Sequence, residues 1–99
     1  MEIEFDDDAL DQLEADPKAT AGFPAGAVKG YRKAMQIIRS AANERDLYSM
    51  RGLRFKKLKG DREGQYSMRC NDQYRLVIKL YGRGDKKKVQ VIEIIDYHN

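Results

Sequence analysis

Two alternating runs of apolar and polar residues, separated by turn-forming residues, predict a β-hairpin over residues 66–80. Successive strand residues point to opposite faces of a sheet, so the apolar side chains of both runs share a face if Cys70 lies opposite Tyr74. This register predicts a loop of residues 71–73. The opposite face then contains three basic side chains, Arg69, Arg75 and Lys79.

The basic face of this hairpin has two interpretations. Like charges that lie close together on a sheet repel each other, so a surface that gathers them usually has an anionic partner. The alternative is an ordinary solvated sheet face.

The N-terminal residues predict a short strand followed by two helices. Met1–Phe5 alternates as a strand does, and one of the aspartates in Asp6–Asp8 can cap a helix that buries Leu10 and Leu13 and ends at Pro17. We interpret the aspartates as a solvated helix cap, with a metal site as the alternative.

A second, longer helix is predicted to begin near Pro24, whose missing N–H costs nothing in a first helical turn. Apolar residues then recur at steps of three and four, which indicates one buried stripe packed on the sheet. The members of this stripe are Val28, Tyr31, Met35, Ile38 and Ala42.

The second half of the chain predicts further strands. From Asp46 the composition becomes basic, and residues 51–59 indicate a short basic strand that ends at Gly60. Residues 82–85 predict a turn. The β-branched run Val89–Ile95 predicts a strand covered on both faces, which leads to the C-terminal Asp-Tyr-His.

Length and composition exclude several classes of protein. The 99 residues predict one domain with a single core, residues 1–99. No apolar run is long enough to span a bilayer, and the acidic N-terminus is the reverse of a signal peptide, so we expect a soluble cytoplasmic protein with no membrane partner. One cysteine and one histidine allow neither an internal disulfide nor a Cys/His zinc cage, so we expect no metal and no cofactor, and we expect Cys70 to be buried.

The charge is strongly polarised along the chain. Residues 1–22 contain eight acidic residues and one basic residue, whereas residues 51–88 contain thirteen basic and four acidic residues. This asymmetry favours a nucleic acid as partner of the second half; membrane lipid is less favoured, because the basic residues lie on strands and turns. The residues that we expect to contact the nucleic acid are Arg54, Lys56, Lys57, Lys59, Arg69, Arg75 and Lys79.

The C-terminal segment contains the candidate chemistry. His98 is the only side chain whose ordinary pKa lies near neutrality, and it follows Asp96 and Tyr97. The alternative is that this lone histidine belongs to a C-terminal tail and has no catalytic role. Together with a phosphate-binding face and a tyrosine able to stack, however, it matches what metal-free RNA cleavage by the 2′-hydroxyl requires.

Three segments resemble HigB-type toxins of the RelE superfamily. Leu53–Asp61 reads L-R-F-K-K-L-K-G-D, Gly64–Leu76 reads G-Q-Y-S-M-R-C-N-D-Q-Y-R-L, and the chain continues to the terminal D-Y-H of residues 96–98. The resemblance covers residues 46–98 well, and the N-terminal helices only in order and pattern. It implies an α+β, RelE-like fold, with a short N-terminal strand and two N-terminal helices packed on a twisted, mostly antiparallel sheet.

The resemblance also implies an activity and its partners. Relatives are ribosome-dependent endonucleases that cut mRNA codons in the A site and are neutralised by a helix-turn-helix antitoxin of the HigA type, through which alone they meet operator DNA. By matching position, Arg69 and Arg75 bind or stabilise the phosphate, Tyr97 stacks or orients, and Asp96 and His98 are candidates for proton transfer.

This chain departs from the family pattern at one position. Many relatives have a second histidine where this chain has Lys56, which leaves Lys56 or Lys57 as an electrostatic substitute. Two alternatives to a ribonuclease stay open, a non-enzymatic module that binds nucleic acid or ribosomes and a ParE-like gyrase inhibitor.

Overall fold

A mixed sheet with helices packed against one of its faces is formed by residues 1–83 and 86–96, which the computed structural model describes. The helices among them are α1 (Asp8–Ala15), α2 (Ala25–Ser40) and α3 (Glu44–Ser49). The strands are β1 (Glu2–Phe5), β2 (Lys56–Lys57), β3 (Gln65–Arg69), β4 (Tyr74–Tyr81) and β5 (Lys88–Asp96). Their order across the sheet is β1-β5-β4-β3-β2, with β1 parallel to β5 and the other pairs antiparallel. The predicted α+β fold with a short N-terminal strand is confirmed.

The hairpin of β3 and β4 has the predicted register. Arg69 pairs with Arg75 and Met68 with Leu76, and the Cys70 N–H donates to the Tyr74 carbonyl oxygen at 3.0 Å, which closes the three-residue loop. Met68 and Leu76 are fully buried against the helices. The alternation therefore assigns the two faces as predicted, because only this register buries the apolar set.

The two N-terminal helices begin as their sequences predict. The Asp7 side chain accepts a hydrogen bond from the Ala9 N–H at 2.8 Å, and α1 buries Leu10 and Leu13. Pro24 is the residue directly before α2, and its carbonyl accepts the first helical hydrogen bond, from Val28.

The buried stripe of α2 is shorter than predicted. Val28, Tyr31, Met35 and Ile38 are buried, but the prediction that Ala42 continues the stripe is wrong. The helix ends at Ser40 and the chain becomes extended at Ala41, which is buried in place of its neighbour. This change of backbone breaks the helical period before it reaches Ala42.

The predicted basic strand over residues 51–59 is largely wrong. The extended part is only β2, and 3₁₀ turns precede and follow it at Arg51–Leu53 and Gly60–Arg62. The short helix α3 lies before them, with the Asn43 side chain accepting from the Arg45 N–H at 2.9 Å. A capping asparagine followed by two acids in the first turn was the local signal for this helix.

The prediction that the last strand is covered on both faces is also wrong. Val89 and Val91 are buried, whereas Glu93 is exposed. Val77 pairs with Glu93 and Ile78 with Val91, so Ile92 is the extra residue of a β-bulge that shifts the alternation. The neighbouring apolar residues Val91 and Ile92 thus reflect a change of face in mid-strand, where the bulge interrupts the alternation.

Candidate nucleic-acid interface

The sheet face opposite the helices, here called the open face, collects the basic side chains of the central strands. The register of the strands places Arg69 beside Arg75, Lys79 beside Gln65, and Lys56 beside Ser67. The arginine pair lies at the end of the sheet where β5 finishes, because Tyr74 pairs with Asp96. Asp96, the last described residue, therefore lies at the same end of the sheet as the arginine pair.

Arg69 is the more accessible member of the arginine pair. Its side chain is 37% exposed, and its Nη2 lies 2.6 Å from Oδ1 of Asp72 in the hairpin loop. The hydrogen bond from Arg69, followed by its positive charge, lowers the pKa of the Asp72 carboxyl, and the charge of Arg54 acts in the same direction. Because this exposed ion pair is weak, an incoming phosphate can displace Asp72 from Arg69 at small cost.

Arg75 is 7% exposed and is held by the protein itself. Its Nε donates to the Ser67 hydroxyl at 3.0 Å, and its Nη2 donates to the Arg54 carbonyl oxygen at 2.7 Å. The backbone of Arg54 is left-handed, with φ of 50°. A non-glycine residue in that region is strained, and the hydrogen bond from Arg75 is one of the contacts that hold it there.

The hairpin loop also orients the end of β5. Asn71 Oδ1 accepts from the N–H groups of Gln73 at 2.9 Å and Tyr74 at 2.7 Å, which fixes the loop backbone. Gln73 Nε2 in turn donates to Asp96 Oδ2 at 3.2 Å. Asn71 and Gln73 thus position the loop and the end of β5, a role that their place in the sequence did not indicate.

The side chain of Arg62 covers part of the open face. Its Nη1 donates to Gln65 Oε1 at 3.0 Å on β3, and its Nη2 lies 3.2 Å from Glu93 Oε2 on β5. A guanidinium that bonds to both of these strands must cross β4, and Val77, which lies between them on the same face, is fully buried. Arg62 thereby pairs with Glu93, an acid that lies on the same face as the basic residues.

The predicted nucleic-acid contacts separate into two groups. Alternation along β2 places Lys57 on the opposite side of the sheet from Lys56, and Lys59 lies beyond the strand. The open face therefore gathers a smaller set than the sequence suggested. The residues that it brings together are Lys56, Arg69, Arg75 and Lys79, and Arg54 joins them through its backbone carbonyl.

Two of the predicted chemical groups are not covered by the structure. Tyr97 and His98 lie outside the described residues, so their roles stay predictions. Asp96 is exposed, and its pairing with Tyr74, which packs against the core, places it on the helix side at the end of the sheet and not on the open face.

The single cysteine is a packing residue. Cys70 is buried, as predicted, and burial raises the pKa of its thiol to about 12 despite the nearby charge of Arg75. A thiol that stays protonated at neutral pH is a poor nucleophile.

Comparisons with known proteins agree on the family of this chain. The family model of HigB-like toxins, described as the RelE-like toxin of the type II toxin–antitoxin system HigB, matches residues 3–98. Toxin HigB-1 of Vibrio cholerae serotype O1 is 34% identical over 79 residues, which are 80% of this chain and 83% of that protein.

Solved structures support the fold. A YoeB/ParE toxin from Agrobacterium tumefaciens superimposes with a TM-score of 0.62 at 20% identity, covering 99% of this chain and 100% of that one. A YoeB-YefM complex from Staphylococcus aureus gives a TM-score of 0.58 at 21% identity, covering 100% of this chain and 98% of that one. None of the helices in residues 1–83 and 86–96 is long and apolar enough to cross a membrane.

Proposed function

Because this chain belongs to the HigB-like family of RelE-like toxins of type II toxin–antitoxin systems, we propose that it blocks translation as a ribosome-dependent mRNA endonuclease. It cuts A-site codons in the cytoplasm by attack of a ribose 2′-hydroxyl on the adjacent phosphate, without a metal ion. A toxin of such a system pairs with an antitoxin, and we assign the partner to the HigA helix-turn-helix type. Residues 1–99 act as one toxin domain.

The direct cross-strand pairing of Arg69 with Arg75 is the observation that best supports this proposal. Attack on the phosphate concentrates negative charge on the non-bridging oxygens, and fixed cations at that point stabilise the transition state more than the ground state. The accessible guanidinium of Arg69 binds these oxygens, with Arg75 contributing its charge from below. Lys56, on the same face, adds a further positive charge where many relatives have a histidine.

Proton transfer is assigned to the end of the last strand. A base takes the 2′-hydroxyl proton as the new O–P bond forms, and an acid gives a proton to the 5′-oxygen as the old P–O bond breaks, leaving a cyclic phosphate and a 5′-hydroxyl. Asp96, oriented by Gln73, and His98 are the two candidates for these roles. Tyr97 stacks on or orients the substrate base.

Primer extension on mRNA from cells that express each variant tests this assignment. We expect His98→Ala to stop translation-dependent cleavage while the protein remains folded, since losing one proton-transfer group typically costs ~10²–10⁴-fold in rate. Arg75→Ala is also expected to lose rate, through lost stabilisation of the phosphorane charge and through the release of Arg54. Lys57→Ala is the matched control, because that lysine lies on the other side of the sheet.

Circular dichroism of each purified variant separates lost activity from lost structure. Undiminished cleavage by a folded His98→Ala protein would move the proton transfer to Asp96 or Lys56. No cleavage by the wild type would contradict the ribonuclease and favour the binding module, which the same basic face supports, or a gyrase inhibitor.

A further inference from the structure

Tyr81 is one of the few large apolar side chains that the described residues expose, at 42%. It lies on the open face, because it shares the alternation of Arg75 and Lys79 along β4. The Lys79 ammonium lies 5.3 Å from the centroid of the Tyr81 ring. An exposed aromatic ring beside a cation is the combination that single-stranded nucleic acids use, because bases stack on the ring while the cation meets a phosphate.

The tyrosine ring is anchored by its polar end. Its hydroxyl donates to Gln90 Oε1 on the neighbouring strand, and Gln90 Nε2 donates in turn to Asp6 Oδ1. To reach Gln90, which pairs with Lys79 and not with Tyr81, the side chain must lean across the sheet. Such a ring keeps a fixed orientation and loses little conformational entropy when a ligand stacks on it.

The charges around Tyr81 differ between its two neighbouring lysines, Lys88 and Lys79. Lys88 lies 3.9 Å from Oε2 of Glu2 and 3.9 Å from Oε1 of Glu4, so acids of β1 already neutralise it. Lys79, by contrast, forms no ion pair with any acid in the described part of the chain. A polyanion is therefore repelled from the β1 edge and held over β4, in line with the arginine pair.

We propose that Tyr81 and Lys79 form a second RNA subsite, in which an unpaired base stacks on the Tyr81 ring and its phosphate contacts the Lys79 ammonium. The subsite lies six residues along β4 from Arg75, about 20 Å in an extended strand. The RNA strand that passes Arg69 thus continues along the open face to Tyr81. This inference rests on the proposed role of the open face in binding RNA and adds a residue that holds the strand away from the reacting phosphate.

Binding of a fluorescein-labelled single-stranded RNA oligonucleotide with 2′-O-methyl riboses tests the subsite separately from the chemistry. This probe cannot be cut, because its 2′-oxygens cannot attack. Full-length wild type, Tyr81→Ala, Tyr81→Phe and Lys79→Ala are titrated by fluorescence anisotropy at several salt concentrations, with thermal melts confirming that each protein is folded. The same oligonucleotide annealed to its complement is the control ligand, since a paired base cannot stack on a side chain.

We expect Tyr81→Ala to weaken single-strand binding ~10-fold with an unchanged salt slope, because it removes a stacking partner and no charge. Tyr81→Phe keeps the ring but loses the hydrogen bond to Gln90, so it is expected to weaken single-strand binding less than Tyr81→Ala does. Lys79→Ala is expected to reduce the salt slope by about 0.7, the value for one phosphate contact on a single strand. With the duplex as ligand, stacking makes no contribution in any of the three variants. Tyr81→Ala and Tyr81→Phe are therefore expected to bind the duplex as tightly as the wild type does.

The outcomes separate this subsite from the ribonuclease. A Tyr81→Ala protein that binds the single strand like the wild type overturns the subsite, and so does a Tyr81→Phe protein that loses as much as Tyr81→Ala. A Tyr81→Ala protein that keeps RNA binding but no longer co-purifies with its co-expressed antitoxin would assign the ring to the protein partner instead. Wild type that binds the probe through Tyr81 but leaves translated mRNA intact would refute the ribonuclease alone.

Discussion

Replacing Gly30 by alanine tests how the hairpin is held against the helices. Gly30 lies in the middle of α2, where the helix meets the end of β3. A Cβ atom added there would lie 1.7 Å from the Cys70 carbonyl oxygen, 2.5 Å from its carbonyl carbon and 2.9 Å from its Cα. The obstacle is backbone on both sides, so no side-chain rotation relieves the clash.

The expected loss of stability is large. To restore even the 3.0 Å below which Cβ contacts are essentially never seen, α2 and the hairpin must move apart. Overpacking of a core costs ~1–3 kcal/mol and sometimes more, and a clash between two backbones belongs at the upper end. The better helix propensity of alanine returns up to ~1 kcal/mol, so we expect Gly30→Ala to lose at least ~2 kcal/mol of unfolding free energy.

Gly26→Ala, one turn earlier in α2, is the matched control. There the nearest atom to an added Cβ is Asn71 Nδ2 at 3.8 Å, which is ordinary van der Waals contact. We expect this variant to be neutral or up to ~1 kcal/mol more stable than the wild type. Urea unfolding followed by circular dichroism measures both variants. A Gly30→Ala protein as stable as Gly26→Ala would refute the close approach of helix and hairpin.

Three further predictions concern the open face and its register. Met68→Asp should unfold the protein or lower its free energy of unfolding by ~4 kcal/mol or more, because it places a charge at a fully buried position. Arg69→Ala should stay folded. Equal losses of stability in thermal melts of the two variants would mean that the faces are misassigned. The pKa of Asp72, followed by carbon NMR, should lie below its ordinary 3.8 in the wild type and rise towards that value in Arg69→Ala. Any stability from this pair is therefore present above the ordinary value and is lost as the pH falls. Ribosome or RNA binding should weaken steeply with salt, since residues 51–88 contain thirteen basic residues; binding that hardly changes would contradict a nucleic-acid partner.

The hairpin could be predicted from the sequence because its pattern allows a single solution. One parity of register buries the apolar set, and the other buries Arg69 and Arg75. The helix cap at Asp7 and the start of α2 after Pro24 were also predictable, because each depends on neighbours within a few residues.

The strand β5 could not be predicted in detail, because its exposure depends on a bulge. A run of apolar residues looks the same whether both faces are covered or one residue is inserted in mid-strand. Only the partner strand, through the pairing of Val77 with Glu93 and of Ile78 with Val91, reveals the insertion. The bulge brings Ile94 and Asp96 onto the face opposite to the one that unbroken alternation from Val91 would give them.

The burial of Arg75 shows why the face of a residue does not determine its role. The sequence placed Arg75 correctly beside Arg69, and their charges suggested equivalent contacts with phosphate. One of its hydrogen-bond acceptors, however, is a backbone carbonyl 21 residues earlier in the chain, which no local pattern indicates. Loss of Arg75 therefore removes a positive charge and also frees the strained backbone of Arg54, whereas loss of Arg69 removes a charge and only an exposed ion pair. A defect in Arg69→Ala can thus be read as lost phosphate stabilisation, while a defect in Arg75→Ala combines that loss with a displaced Arg54.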